Sequence, residues 1–458
     1  MTKFSNYFLL FSLLIFGFVI TGCDDDEDEG PDTGETFIGA VYAMSNGAGQ
    51  VDGTQVQGDN WVAAYGRNAD GSLDLIGMTP TGGQGGDFDG GEGLDPLISA
   101  YALAKSLDNN FVLAVNAGSN TITSLIAQDD FSLVVGDTQP TGAIGPNSIA
   151  YTPSNIDGVN GLVYVSNITR PEFLAGGEPV QEGTVTGFWL MDDGTLTPIA
   201  NSSRDLANRP SCAQFSPDGD YLVVASINSG SATLGSLDEN ELVVYAVNED
   251  GTLSAGITGS ATSTLRDNAE GRNLPSAIGF QIVGDNYVVV TEAREFQPNG
   301  APPAFPALQD GSVSTWQINA GGSLTPISLD VASGENNTGR TACWLDFNNA
   351  GNTFFVSNAI EAGIASYSFN DGVVALIDQT AAVGVESATG NTTDPGAAFS
   401  GTEGWIDLWI SDDGAHLYQL QGLRGAISVY AINGAELTLV EVEAGTLPEN
   451  NTQGIVAF

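Results

Sequence analysis

Apolar and polar residues alternate along this chain in short runs separated by turn residues. Pro210-Ser-Cys-Ala-Gln-Phe215 is one such run, Ser216-Pro-Asp-Gly219 is a turn, and Tyr221-Leu-Val-Val-Ala-Ser226 is a second run. Glu241–Val247 follows after an insertion, then Asp250-Gly251 and a further run from Thr252. Asp-Gly between apolar runs marks a tight hairpin, because glycine accepts the positive φ that such a turn requires. The unit therefore predicts four short antiparallel strands.

The unit recurs. Second strands read Phe111–Asn116, Leu162–Asn167, Tyr221–Ser226, Tyr287–Glu292, Thr353–Asn358 and His416–Gln421. Third strands include Trp61–Tyr65, Thr184–Leu190, Ser312–Ile318, Gly363–Phe369 and Ala426–Ile432. No amphipathic helical stretch separates them, so the expected class is all-β. First strands are expected to start near Ala100, Pro146, Pro210, Pro275, Ala342 and Trp405. A seventh, Gln453–Phe458, ends the chain where a second strand should follow, and Phe37–Asn46 supplies one. The prediction is a seven-bladed β-propeller of four-stranded antiparallel blades, with the C-terminal strand joining the N-terminal blade. Closure of this kind leaves no open sheet edge.

The N-terminus has a different pattern. One positive charge, Lys3, precedes an apolar run from Tyr7 to Ile20 that is short for a membrane span and has the shape of a secretory signal. It ends Ile20-Thr-Gly-Cys23, which resembles a lipobox. Residues 1–22 are therefore expected to be a lipoprotein signal peptide, with Cys23 as the lipidated residue. Residues 23–36 would form an acidic tether containing Asp24–Glu29, and residues 37–458 the propeller. Such a run of like charges stays extended, and it resembles the acidic motif of surface-exposed Bacteroidetes lipoproteins. The expectation is an exported protein held at the outer membrane by its lipid alone; the acidic run reads either as a solvated tether or as a signal for exposure at the cell surface, and Asp24 directly after Cys23 is alternatively an inner-membrane retention signal.

Composition adds one constraint. The 458 residues include 56 Asp and Glu against 11 Lys and Arg, a formal net charge of −45. That argues against nucleic acid as a partner. Cys212 and Cys343 fall on equivalent inner strands and read as small buried residues.

Propeller geometry divides the loops between two faces. The first-to-second and third-to-fourth connections are tight turns. The insertions, Gly47–Asn60, Thr79–Asp95, Ile168–Gly183, Ile227–Asn240, Ala293–Gln309 and Ala382–Gly404, gather on the other face, where a binding surface is expected. Second strands end there in Asn46, Asn116, Asn167, Asn228, Glu292, Asn358 and Gln421, groups that could bind hydroxyls or a carbonyl, or cap their own turns. Arg209, Arg272 and Arg340, three of nine arginines, precede first strands and approach the same face, to bind an anion or to pair with local acids. Asp87, Asp89 and Glu92 in a glycine-rich loop could chelate Ca²⁺, or be a plain acidic loop. No cofactor is required by any of these features.

Asn208-Arg-Pro-Ser with Phe215-Ser-Pro-Asp-Gly-Asp-Tyr221, the strand ending Val165-Ser-Asn167, and Leu242-Val-Val-Tyr245 with Asn248–Ser254 resemble the seven-bladed lactonase family, over essentially all of residues 37–458. That family includes 6-phosphogluconolactonase-like and carboxymuconate cyclase-like propellers. Its enzymes place an Arg-His pair after the proline of a first strand and a Glu at the end of the following strand. Here Pro275 is followed by Ser276-Ala277 and Pro146 by Asn147-Ser148, while Glu292 is in place. The only histidine, His416, follows the Asp413-Gly414 turn on the opposite face. The expected function is a non-catalytic module binding a small molecule (a sugar acid or glycan) or an envelope protein through the long-loop face. The alternative is a lactonase or cyclase-like enzyme for a sugar-acid or aromatic-acid lactone, with Glu292 as base and an arginine on the carboxylate.

Overall fold

The computed structural model describes residues 37–458 apart from 48, 52–53, 57, 89–94, 170–181, 228–239, 263–275, 294, 297–307, 310, 336–339, 360 and 385–403. They form one compact unit, Phe37–Phe458. The signal segment, Cys23 and the acidic tether lie outside the described residues.

Seven four-stranded antiparallel blades are arranged in a ring, as the repeat predicts. From the axis outward, blade 1 is Ile455–Ala457, Gly39–Met44, Asp59–Arg67 and Leu73–Gln84; blade 2 is Leu103–Lys105, Phe111–Asn116, Thr121–Ala127 and Leu133–Pro140. Blade 3 is Ile144–Pro153, Val159–Thr169, Thr184–Met191 and Leu196–Pro198; blade 4 is Pro210–Phe215, Tyr221–Ser226, Leu242–Ala246 and Gly259–Ala261. Blade 5 is Ser276–Val283, Tyr287–Ala293, Ser312–Ile318 and Leu324–Ala332; blade 6 is Ala342–Phe347, Thr353–Asn358, Gly363–Asn370 and Val373–Val383. Blade 7 is Trp405–Ile410, His416–Gln421, Ala426–Asn433 and Glu436–Ala444. The ring closes in register, with Val41 opposite Ala457, Tyr42 opposite Val456 and Ala43 opposite Ile455. Two insertions carry small hairpins of their own, Gly49–Val51 with Thr54–Val56 and Glu295–Phe296 with Leu308–Gln309.

Second strands are apolar on both faces because each packs between neighbouring blades. Phe354 and Val356 belong to the cluster shared with Val289 and Val313 of blade 5, whereas Phe355 packs in the opposite gap with Trp405 and Leu420 of blade 7. Outer strands alternate buried and exposed positions, as half-solvated strands do.

Side chains also stitch the inner ends of the blades together at every interface. Gln453 of blade 1 donates to Ser99 O before blade 2; Ser99 Oγ donates to Asn147 O of blade 3; Asn147 Nδ2 donates to Pro210 O of blade 4. Ser211 of blade 4 reaches Ala277 O of blade 5, and Thr291 of blade 5 reaches Cys343 O of blade 6. Asp346 of blade 6 accepts from Ile410 N of blade 7 (2.6 Å), and Asp407 of blade 7 accepts from Gly454 N of blade 1 (2.8 Å). The innermost strand has no sheet neighbour on its axial side, so these side chains satisfy backbone groups that would otherwise be orphaned.

Candidate functional site

The long-loop mouth of the axial channel is closed by the chain itself. The first inner strand expected near Ala100 begins instead at Leu103, because Asp95–Tyr101 leaves blade 2 and enters the channel. Gln453 Oε1 accepts from Leu97 N (2.9 Å), and its Nε2 donates to Asp95 Oδ1 and Ser99 O (both 2.8 Å). Trp344 Nε1 also donates to Ser99 O (2.9 Å), and Ala100 N donates to Ser211 O of blade 4 (3.0 Å). Two non-glycine residues of this plug turn left-handed, Ile98 (φ 48°) and Tyr101 (φ 60°). Each such residue costs about 1–3 kcal/mol, which the surrounding bonds offset.

The plug accounts for Arg209. Its guanidinium is buried and donates to the carbonyls of Phe88 (3.4 Å) and Leu97 (3.3 Å), so this arginine ties the plug down. Arg272 lies outside the described residues.

Most of the second-strand amides are bonded within the fold. Asn116 accepts from Asn60 (3.0 Å) and Thr81 (2.6 Å) of blade 1 and donates to Thr121 and Thr123. Asn46, at φ 50°, donates to Gly86 O and accepts from Gly86 N, pinning the loop that leads into the plug. Gln421 donates to Ser428 (2.6 Å) and accepts from Arg424 (3.3 Å). Asn167 donates weakly to Val165 O and to Thr184 (both 3.3 Å), and its Oδ1 has no partner among the described residues. Asn228 lies outside the described residues; the position paired with the start of the inner strand in blade 4 is Ser226.

Asn358 differs from the rest. It is 0% exposed, and neither Nδ2 nor Oδ1 has a hydrogen-bond partner among the described residues. It pairs directly with Gly363 across the blade, so its side chain and the direction of a Gly363 Cβ share one side of the sheet. On that side lies Arg340: a Cβ on Gly363 would stand 3.9 Å from Arg340 Nη1 and 3.3 Å from the carbonyl oxygen of Ala382. Arg340 is 8% exposed and forms no ion pair among the described residues. Close by, Glu361 accepts from Thr341 N (3.0 Å). Burial pushes the Glu361 carboxyl above its ordinary value, opposed by that N–H and by Arg340. Among the described residues, a buried amide with no hydrogen-bond partner and a buried guanidinium with no ion pair therefore lie on the side of blade 6 that faces blade 5.

Glu292 stands on the other side of blade 5. It shares its side of the strand with Val288 and Val290, which pack with Val223 and Val244 of blade 4, and it accepts from Ser312 Oγ. Gly311 separates the backbones of Glu292 and Arg340, since a Cβ there would strike both carbonyls. The carboxylate and the guanidinium are thus neighbours in the chain path but open into different interblade gaps.

His416 lies at the tight-turn face, where its ring packs on Gly71 and burial lowers its pKa. Asp87 is described, whereas Asp89 and Glu92 are not. Among the described residues no three His, Cys, Asp or Glu are placed to hold a metal. Sequence reading missed Asp346 and Asp407, which sit on inner strands and each accept from the backbone of the next blade. Burial pushes their carboxyls up to about 6 and about 7, against the N–H groups of Ile410 and Gly454. Acid in an otherwise apolar inner strand was the available signal, in Trp344-Leu-Asp-Phe347 and Trp405-Ile-Asp-Leu408.

The fold is that of the 6-phosphogluconolactonase-like seven-bladed propellers. It is similar to a "putative 6-phosphogluconolactonase" from Bacteroides uniformis, with a TM-score of 0.54, 16% identity and coverage of 92% of this chain and 99% of that one. It is similar also to a hypothetical selenium-binding protein from Sulfolobus tokodaii, with a TM-score of 0.54, 12% identity and coverage of 92% and 93%. No protein-family model and no curated protein matches the sequence.

Proposed function

We propose that this chain is a lactonase-like propeller that binds a small anionic ligand of the sugar-acid type in the cleft between blades 5 and 6, without turning it over. The observation that carries the reading is Asn358, enclosed with both amide atoms unbonded beside Arg340. A buried amide left unsatisfied costs about 1–3 kcal/mol, and a guanidinium that forms no ion pair among the described residues is suited to receive a carboxylate from a ligand. Hydrolysis of a lactone would ask a base and a cation to act on one carbonyl. Glu292 and Arg340 open into separate gaps, and Arg209 is engaged with the plug, which supports binding over catalysis.

The test is calorimetric titration of the mature protein with gluconate, galactonate, gluconolactone and muconate. Saturable binding of an acid, weakened at least ~10-fold by Arg340→Gln and by Asn358→Leu, supports the reading. Turnover of a lactone that Glu292→Gln abolishes would establish the enzyme instead. Loss of binding in neither variant places the ligand elsewhere.

The same reading has the propeller exported and anchored through a lipid on Cys23, on the strength of the Ile20-Thr-Gly-Cys23 motif. Labelling cells with an alkyne fatty acid should mark the wild type and not Cys23→Ser, and surface proteolysis of intact cells reports whether the domain faces outward.

A further inference from the structure

The channel has a second mouth, on the tight-turn face, and there the plug leaves a cavity of about 170 Å³. Tyr101, Lys105, Tyr151, Gln214, Gln281 and Trp409 contribute to its wall. Tyr101, the left-handed end of the plug, meets Trp409 edge to face, with ring centroids 5.9 Å apart at 87°. Across Tyr151 lies a groove of about 550 Å³ that the same ring helps to wall, with Ser154, Asn155, Asp157 and Asp192 along it. Tyr151 is held in place by donation to Asn160 Oδ1 (2.8 Å).

We propose that this face binds a neutral carbohydrate chain, its terminal ring in the mouth cavity and the following units in the groove beyond Tyr151. The cavity is smaller than the ~300–1,000 Å³ of sites for drug-sized ligands, so it admits a single ring. Aromatic faces and edges supply apolar contact for the C–H side of a sugar. The amides of Gln214 and Asn155 and the carboxylates of Asp157 and Asp192 offer donors and acceptors for hydroxyls. An anionic chain is disfavoured: Lys105 is already paired with Asp412 (3.0 Å) and bonded to Asn109, and the groove adds Asp108, Asp157 and Asp192 within a chain of net charge −45.

The experiment titrates the mature protein, following tryptophan emission and heat, with glucose and xylose and with cello-, malto-, xylo- and laminaritetraose. At least one tetrasaccharide should bind at least ~10-fold more tightly than its monosaccharide. Trp409→Ala should abolish both responses, and Asn155→Ala should remove only the gain with length. Gln214→Ala gives a second reading of the cavity if Trp409→Ala does not fold. Arg340→Gln should leave saccharide binding unchanged, which keeps this site separate from the cleft between blades 5 and 6. Absence of binding across the panel, survival of binding in both cavity variants, or tighter binding of tetragalacturonate or of an unrelated peptide would overturn the proposal.

Discussion

The two mouths of one channel are built in opposite ways. At the long-loop mouth, Asp95–Tyr101 fills the axis and is held by bonds from blades 1, 4 and 6. At the tight-turn mouth, the ends of the inner strands stop short and leave a cavity walled by aromatic and amide side chains. Loop length alone points to the first mouth as the open one, because long loops are where binding residues usually sit. Here one long loop turns inward and spends its polar groups on the channel, and among the described residues a cavity is left along the axis at the other end. What remains at the long-loop face is the gap between blades 5 and 6, where Asn358 has no hydrogen-bond partner and Arg340 no ion pair among the described residues.

Substitutions that break one mouth should leave the other intact. The largest effect is expected from Trp344→Ala, which removes a buried ring and the donor to Ser99 O at the base of the plug. Stability should fall by about 3–5 kcal/mol in urea unfolding. Gln453→Leu is smaller and more selective. It orphans Leu97 N, at about 1–3 kcal/mol for a buried group left unbonded, and removes one donor each from Ser99 O, which keeps Trp344 Nε1, and from Asp95. Amide exchange should then accelerate at Leu97–Ala100, ahead of the Tyr101 ring that walls the cavity, while quenching of Trp409 by saccharide stays as in the wild type. Equal acceleration around all seven inner strands would show that the plug is not a separate unit.

Acid–base behaviour is expected to report on the ring rather than on either mouth. Burial raises Asp346 to about 6 and Asp407 to about 7 in the folded protein, above the ordinary aspartate value. Between about pH 4 and 7 the folded state therefore holds more protons than the unfolded one, and these two groups make stability fall as pH rises through that window. Melting temperature measured from pH 4.5 to 8 should lose most of this slope in Asp407→Asn. A slope unchanged in that variant and in Asp346→Asn would assign the pH dependence to the surface. The smallest effect is expected from Asp412→Asn at the rim of the tight-turn mouth. Its partner Lys105 is mostly buried but Asp412 is well exposed, so the pair should be worth no more than about 1 kcal/mol and should weaken with salt.

Much of this fold was legible from local pattern. Strands such as Tyr221–Ser226 and Thr353–Asn358 are short apolar runs ended by turn residues, and Asp-Gly or Gly-Gly turns between third and outer strands require φ values that glycine supplies, as at Gly194 and Gly372. The closing strand was legible because Gln453–Phe458 repeats the pattern of Pro210–Phe215 and lacks a following partner. The plug was not. Leu97-Ile-Ser-Ala-Tyr-Ala-Leu103 is as apolar as an inner strand, and alternation cannot tell a strand from a segment buried end-on in a channel. The candidate site was legible only as a set of positions. Asn116 and Asn358 end equivalent strands in the same residue type, yet the first meets Asn60 and Thr81 and the second meets no acceptor or donor among the described residues.

By itself, then, the sequence determined the number of blades, the antiparallel order and the point of closure, because each follows from hydrogen-bonding and burial patterns that repeat within a few dozen residues. Only the tertiary structure decided which mouth is shut, which amide is unbonded and on which side of blade 5 Glu292 and Arg340 stand. Those depend on contacts between residues hundreds of positions apart, such as Gln453 with Leu97 and Ser99, and on the parity of single residues along a strand, where one step reverses the face.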